Sequence, residues 1–240
     1  LYSGKRREIV PRTILFRDRI SAGEELAELV SAQIGHTKHL GCCAPPIVYA
    51  LPRGGIPVAV PVARKLGCPL DVFVTKKITL PNNPELAIGA VTADGNVLWG
   101  SRQLLRKISI GMVEAALAQA REKAAEQLEE FKPYRPKINT RGAIAIIVDD
   151  GIATGLTMAA AAESMRTSPV MQVWSCAPVA PQDLNPQLER ESDRTIFIET
   201  PHPFFSVSRF YLEFPQVSAA EAIDYLQQYN DRLLVSPSQN

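Results

Sequence analysis

Two adjacent carboxylates, Asp149 and Asp150, run directly into a turn of small residues, Gly151-Ile152-Ala153-Thr154-Gly155, and then into Leu156 and Thr157. The two halves of this stretch want opposite partners. Ionised carboxylates accept hydrogen bonds and repel anions, so the acid pair suits sugar hydroxyls or a metal ion. Free N–H groups where a turn enters a helix attract an anion, and the helix dipole adds to that attraction. Thr154 and Thr157 add hydroxyl donors, and Gly155 allows the main chain to approach the anion closely. A ligand that satisfies both halves carries a phosphate beside a diol, as ribose 5-phosphate does. The bland alternative is a strand–turn–helix with two acids and no ligand. The stretch is not a Walker A loop, because no Gly-Lys-Ser/Thr follows the turn.

A second candidate anion site lies upstream, at Pro52-Arg53-Gly54-Gly55-Ile56-Pro57. Gly54 and Gly55 are expected to expose N–H groups, and Arg53 supplies a fixed cation. Lys76 and Lys77 follow an apolar run; they are either two solvated lysines at a strand end or cations facing the same anion. Pro81-Asn82-Asn83-Pro84 is a strong turn signal, and Glu85 follows it, in the bland reading as an anchor of the hairpin. The tail 203–214 is dense in aromatic residues. Most of these rings are expected to pack, with Phe204 or Phe205 touching ligand.

The elements that must position these residues are legible from period and punctuation. Ile144–Val148 is a short β-branched run, hence a buried strand, and an Ala-rich helix is expected over Leu156 to Arg166. Ile47–Leu51 is expected to be a strand feeding the upstream glycine turn, with a helix over Val58 to Leu66. Further strands are expected at Leu70–Thr75, Val170–Ala177 and Thr195–Glu199, and a short helix at 181–191. Ser21-Ala22-Gly23-Glu24 has capping-box spacing and predicts a helix to about Ile34. Residues 101–131 predict a long helix broken near Ser109-Ile110-Gly111, and Ala219–Leu233 a closing one. Asp94-Gly95 between apolar runs predicts a β-hairpin within 78–100. Strand–helix alternation over 47–199 predicts an α/β fold with a mostly parallel twisted sheet flanked by helices. Both glycine turns then fall at carboxyl ends of strands, where open α/β sheets bind ligands.

These motifs resemble those of the type I phosphoribosyltransferases. The string at 144–158 is similar to that family's binding motif for 5-phosphoribosyl-1-pyrophosphate (PRPP), and LPRGGIPVA at 51–59 to its pyrophosphate loop. FRDR at 16–19, PNNPELAIGAV at 81–91 and YLEFPQVSAAEAIDYL at 211–226 resemble a subgroup whose acceptor is not assigned. The resemblance spans nearly the whole chain and implies one domain over 1–240, with 78–100 as a mobile hairpin lid and 200–233 as a small C-terminal hood and helix. It implies PRPP-dependent transfer of a phosphoribosyl group to an unidentified acceptor, a nucleobase among the candidates, with release of pyrophosphate. Asp149 and Asp150 would hold the ribose hydroxyls. Ala153, Thr154, Gly155, Leu156 and Thr157 would hold the 5-phosphate. Arg53, Gly54, Gly55 and Lys76 or Lys77 would receive the pyrophosphate. Magnesium would be held mainly by the substrate, with Asp149 or Asp150 as its protein ligand. Ala153 stands where the 6-oxopurine enzymes carry an aspartate, which leaves Glu85 as the candidate acid or base. A PRPP or nucleotide sensor and a PRPP or nucleotide hydrolase are the alternative functions on the same fold. A homodimer is expected by family analogy alone.

Composition excludes little else. The net charge of +1 gives no reason to expect nucleic acid or a membrane surface as partner, and Lys5, Arg6 and Arg7 read as a solvated arm. No apolar run approaches the roughly 18 residues of a membrane span. No signal-peptide core is expected at the N-terminus. Cys42, Cys43, Cys68 and Cys176 form no C-x-x-C pair, which argues against structural zinc and fits a reducing, cytoplasmic setting.

Overall fold

Five short segments pair side by side in a single direction, and all but the last, where only Ile196 is buried, are buried along nearly their whole length. They are β1 (Pro46–Ala50), β2 (Leu70–Val72), β6 (Ile144–Val148), β7 (Gln172–Val179) and β8 (Arg194–Glu199). The computed structural model describes residues 14–81, 83–184 and 186–235. The strand order is β2-β1-β6-β7-β8, all parallel. Alternate residues feed two cores, as a sheet covered on both faces requires. Val48, Ala50, Ile144, Ile146, Val148, Trp174 and Cys176 face α1 (Arg19–His39), α2 (Gly55–Leu66) and α7 (Ala219–Val235). Ile47, Tyr49, Ala145, Ile147, Val173 and Ala177 face α5 (Leu156–Arg166), whose alanines let it lie close to the sheet.

The order of these strands matters for function. From β1 the chain crosses to β2 on one side, and it later returns to lay β6 against the other side of β1. The strand order therefore reverses direction between β1 and β6, a switch point where the loops leaving the two strands diverge and open a crevice.

A second, antiparallel sheet joins β3 (Thr75–Leu80), β4 (Asn83–Thr92) and β5 (Val97–Trp99). It corrects the expected single strand over Leu70–Thr75. The parallel ladder ends where the Phe73 N–H donates to the Ala50 carbonyl. From Thr75 the chain pairs instead with β4, burying Ile78 and Leu80 with Ile88 and Val91 against Ala116 and Ala120 of α4 (Ile110–Phe131). Lys76 and Lys77 thus lie within a strand of the smaller sheet rather than at the end of a strand of the larger one. A short α3 (Arg102–Leu105) precedes α4, with the break falling just before Ile110. The β4–β5 turn is tied down: the hydroxyls of Thr92 and of Ser164 on α5 both donate to the Asp94 carboxylate.

The first helix also starts earlier than the Ser21 box predicts. Asp18 is the N-cap, accepting from the Ser21 N–H at 2.8 Å, and the Ser21 hydroxyl accepts from the Asp18 N–H at 3.1 Å. Ser21 is the third residue of the helix and its hydroxyl closes the box, a role usually filled by Glu or Gln. Arg19 is thereby placed in the first turn. The short helix expected over 181–191 is confined to α6 (Pro186–Glu191). The basic residues Lys5, Arg6 and Arg7 lie outside the described residues.

Candidate active site

At the carboxyl end of β6, Asp149, Asp150, Gly151, Ile152, Ala153, Thr154, Gly155, Thr157 and Met158 line a cavity of about 260 Å³, joined by Lys77, Val207 and Phe214. The turn works as its residue types suggest. Gly155 adopts the left-handed conformation, φ +72°, that most side chains avoid, and α5 begins directly after it without a side-chain cap. The N–H groups of a helix's first turn have no partner inside the helix, so those of α5 open at the cavity. Leu156 itself is buried in the core beneath the turn, so its contribution there is its main chain.

The loop after β1 meets the acid pair from the other side. A methyl group built on Gly54 would lie 2.2 Å from Asp150 Oδ2, and one on Gly55 would lie 2.6 Å from the Val148 carbonyl and 3.1 Å from Asp149 Cα. Only glycine at these two positions lets the loops touch. The two strand-to-helix turns singled out in the sequence therefore share one crevice, at the switch point. One expectation changes. The Gly55 N–H is not open, because it donates to the Leu51 carbonyl at 3.0 Å.

The two lysines separate, as neighbours on a strand must. Lys77 reaches the acid cavity, where its charge helps to hold down the Asp149 carboxyl. Lys76 is half-buried, and burial, together with the nearby Arg53 guanidinium, pushes its ammonium below the usual lysine range. Arg53 and Lys76 thus bring two positive charges together beside the Gly54 loop.

The two acids differ in their partners. Asp149 Oδ1 accepts from the Asp150 N–H at 2.8 Å, and burial followed by repulsion from Asp150 raises its carboxyl well above the ordinary range. Asp150 is also raised, chiefly by burial, but the Arg19 guanidinium opposes the shift. Arg19 Nε donates to Asp150 Oδ2 at 2.8 Å, its Nη1 donates to the Pro215 carbonyl at 2.7 Å, and the guanidinium lies 3.7 Å from the centre of the Phe214 ring. The Tyr211 hydroxyl donates to the Asp150 carbonyl at 2.6 Å. Arg19, Val207, Tyr211 and Phe214 escaped assignment from the sequence, although FRDR and YLEF both belong to the family-like segments. Nothing within one chain shows that a helix start and a distant tail converge on Asp150.

The tail does reach the cavity, but through other residues than those expected. Phe204 packs on Phe210 with ring centres 5.2 Å apart, and Phe205 is exposed with Arg209 over its ring. Neither lines the acid cavity, whereas Val207 and Phe214 do. The Glu85 side chain lies outside the described residues; its backbone belongs to β4.

Comparison with known proteins agrees with this geometry. The phosphoribosyl transferase domain matches residues 43–208. The chain belongs to the phosphoribosyltransferase family. Two Mycobacterium tuberculosis proteins, named "Putative phosphoribosyl transferase Rv0571c" and "Putative phosphoribosyl transferase MT0597", are each 35% identical over 215 residues, covering 89% of this chain and 47% of theirs. The chain thus spans about half the length of the curated relatives it matches. The crystal structure of TT1426 from Thermus thermophilus superposes with a TM-score of 0.70 at 33% identity, over 90% of this chain and 99% of that one.

Proposed function

We propose that this phosphoribosyltransferase-family chain moves the phosphoribosyl group of PRPP to a nucleophilic acceptor and releases pyrophosphate. The observation that carries the reading is the meeting of two anion-suited turns on either side of one acid pair. In this reading the first turn of α5, with Thr154 and Thr157, grips the 5-phosphate. The Gly54 loop, with Arg53 and Lys76, takes the pyrophosphate. The acid pair faces the ribose between them.

The C1–O bond to pyrophosphate breaks with its electron pair leaving on oxygen, and the acceptor's lone pair forms the new bond at C1. Positive charge builds on the ribose ring meanwhile. The ionised form of Asp149, which the nearby Lys77 favours against burial, would stabilise that charge beside the ring, and the fixed cations favour the departing diphosphate; such preorganised charge needs no reorganisation as the reaction proceeds. The acceptor's proton goes to a base, for which Glu85 is the candidate, and 78–100 acts as a lid that keeps water from the sugar cation. Among the described residues no three His, Cys, Asp or Glu side chains cluster to hold a metal. The donor set nevertheless fits magnesium, because Asp149 brings one hard oxygen ligand to a cavity suited to a phosphorylated sugar, and magnesium in phosphate sites takes few protein ligands. Bound there, the ion supplies charge neutralisation to the leaving group.

The test is incubation with PRPP, magnesium and a panel of nucleobases, with pyrophosphate and nucleotide measured separately. Base-dependent release of pyrophosphate is expected. Base-independent release indicates a hydrolase, and PRPP binding without turnover indicates a sensor; either result overturns the transferase reading.

A further inference from the structure

We infer that Arg19 is a positioning residue for this site, fixing Asp150 against the Gly54 loop and locking the chain's first helix and its tail around the acid pair. The inference rests on the phosphoribosyl-transfer reading for its consequence, but its geometry stands alone. Arg19 does not line the acid cavity, so its influence on a ligand passes through Asp150.

The contacts of the guanidinium reach separate parts of the chain. Nε holds Asp150 after β6, Nη1 holds the Pro215 carbonyl in the tail, and the flat face covers Phe214, which itself lines the cavity. The planar fork of arginine can meet all three at once, whereas the point charge of a lysine cannot. The side chains of Arg19 and Asp150 keep only 9% and 16% of their exposure, so water contributes little to holding them.

The backbone around Arg19 supports the same junction. The N–H groups of Leu15 and Phe16 donate to the Phe210 carbonyl, and those of Leu212 and Glu213 donate to the carbonyls of Phe16 and Arg17. Phe16 and Tyr211 rings pack 5.4 Å apart, and Tyr211 packs on Phe214 at 4.9 Å. Tyr211 then reaches the Asp150 carbonyl with its hydroxyl. Residues 15–17 and 210–213 thus meet at a single parallel bridge, Phe16 to Tyr211, and two polar side chains beside it, the Arg19 guanidinium and the Tyr211 phenol, both end on Asp150. The two acids of the pair are consequently not equivalent. Asp149 is left to the ligand, while Asp150 is held before any ligand arrives, so that no binding free energy is spent on orienting it.

The experiment uses the full chain with ribose 5-phosphate, pyrophosphate and PRPP plus magnesium as probes, followed by calorimetry. Arg19→Met is expected to weaken ribose 5-phosphate about tenfold or more while leaving pyrophosphate within about twofold, the loss of one charge-assisted contact's ordering at the ribose. Tyr211→Phe, a milder change that keeps the ring packing, is expected to shift the same affinity in the same direction by less. In Arg19→Ala, added methylguanidinium is expected to restore ribose 5-phosphate binding, because the free cation can occupy the slot beside Asp150 without tethering α1. Equal losses for both probes, or failure of methylguanidinium to rescue, would show that Arg19 is only a scaffold tether and overturn the inference. A double-mutant cycle of Arg19→Met with Asp150→Asn, followed by chemical unfolding without ligand, tests the pair whatever the protein binds: additive effects overturn it. Failure of the wild-type chain to bind PRPP at all would instead sink the transferase reading, leaving the cycle to decide the role of Arg19.

Discussion

Gly54→Ala is the sharpest single test of how the two loops meet. The backbone there, φ −61° and ψ −32°, suits alanine as well as glycine. Judged on conformation alone the substitution should stabilise the chain by about 0.4–1 kcal/mol, by removing freedom from the unfolded state. The new methyl, however, would lie 2.2 Å from Asp150 Oδ2 and 2.9 Å from its Cγ, too close for either to stay. A free carboxylate would rotate away at little cost. This one is bound to Arg19 at 2.8 Å, with little exposure to water to offset its release. Giving up a hydrogen bond between charged groups costs about 1.5–3 kcal/mol. The net expectation is destabilisation by about 0.5–2.6 kcal/mol, which for a chain of this size lowers Tm by about 1–10 °C.

Thermal and urea unfolding of Gly54→Ala, alone and in an Arg19→Met background, measures this directly. With the tether gone Asp150 can yield, so most of the cost of the methyl should vanish in the second background. Affinity for PRPP should fall together with stability in the single variant. A Gly54→Ala protein as stable as wild type, with PRPP affinity unchanged, would refute the contact between the loops and the crevice built on it.

Other variants separate structure from function. Gly111→Ala, in the first turn of α4 with nothing within 4 Å of the new methyl, should raise stability by about 0.4–1 kcal/mol in urea unfolding and leave ligand binding untouched. Asp149→Asn should abolish most turnover yet raise Tm at neutral pH. Burial lifts the folded Asp149 carboxyl well above the ordinary carboxylate range, so the unfolded chain loses that proton first. Stability contributed by this group therefore falls as pH rises from the ordinary range through the raised value, and the Tm gap between variant and wild type should close in acid. Thr154→Val should weaken PRPP about tenfold while sparing free pyrophosphate, measured by calorimetry; equal losses would mean that the two anion sites are misassigned. Arg135→Met removes the two-point partner of Asp71, which is 5% exposed, and should lower Tm by several degrees without changing PRPP affinity.

Much of this site could be read from the chain because its parts are local. A β-branched run, two acids, a glycine turn and an Ala-rich helix are contiguous in sequence, and the bounds of β6 and α5 match the expected ones. The placing of both glycine turns at carboxyl ends of strands followed from strand–helix alternation, since right-handed crossovers leave few arrangements, but the strand order that sets a switch point between β1 and β6 did not. What was not legible depends on contacts between distant segments. Lys76 and Lys77 looked like the end of one strand because Leu70–Thr75 is an unbroken β-prone stretch apart from Asp71; only pairing with β4 reveals the exit at Phe73. Ser21 and Glu24 suggested a cap three residues too late, because aspartate at 18 competes for the same role and the placement of Arg19 depends on which wins. The aromatic tail was recognised as a candidate wall, but period and composition cannot say which ring turns inward.

That last difference bears on chemistry. A wall formed by Phe204 or Phe205 would stand apart from the acid pair, and its rings could rotate to meet an acceptor. Phe214 cannot, since Arg19 covers one of its faces and Tyr211 packs against it. The surface that the tail offers the cavity, Val207 and Phe214, is apolar and already fixed by the groups that fix Asp150. Recognition of an acceptor through this wall would then come from shape and exclusion of water rather than from hydrogen bonds, because neither side chain can donate or accept one. Apolar pockets discriminate weakly between similar ligands, by about 1–3 kcal/mol per methylene. An acceptor panel should accordingly show graded preferences governed by size, whereas an all-or-none response to a single exocyclic amine or carbonyl would require polar contacts from elsewhere, with the main chain of the tail the first place to look.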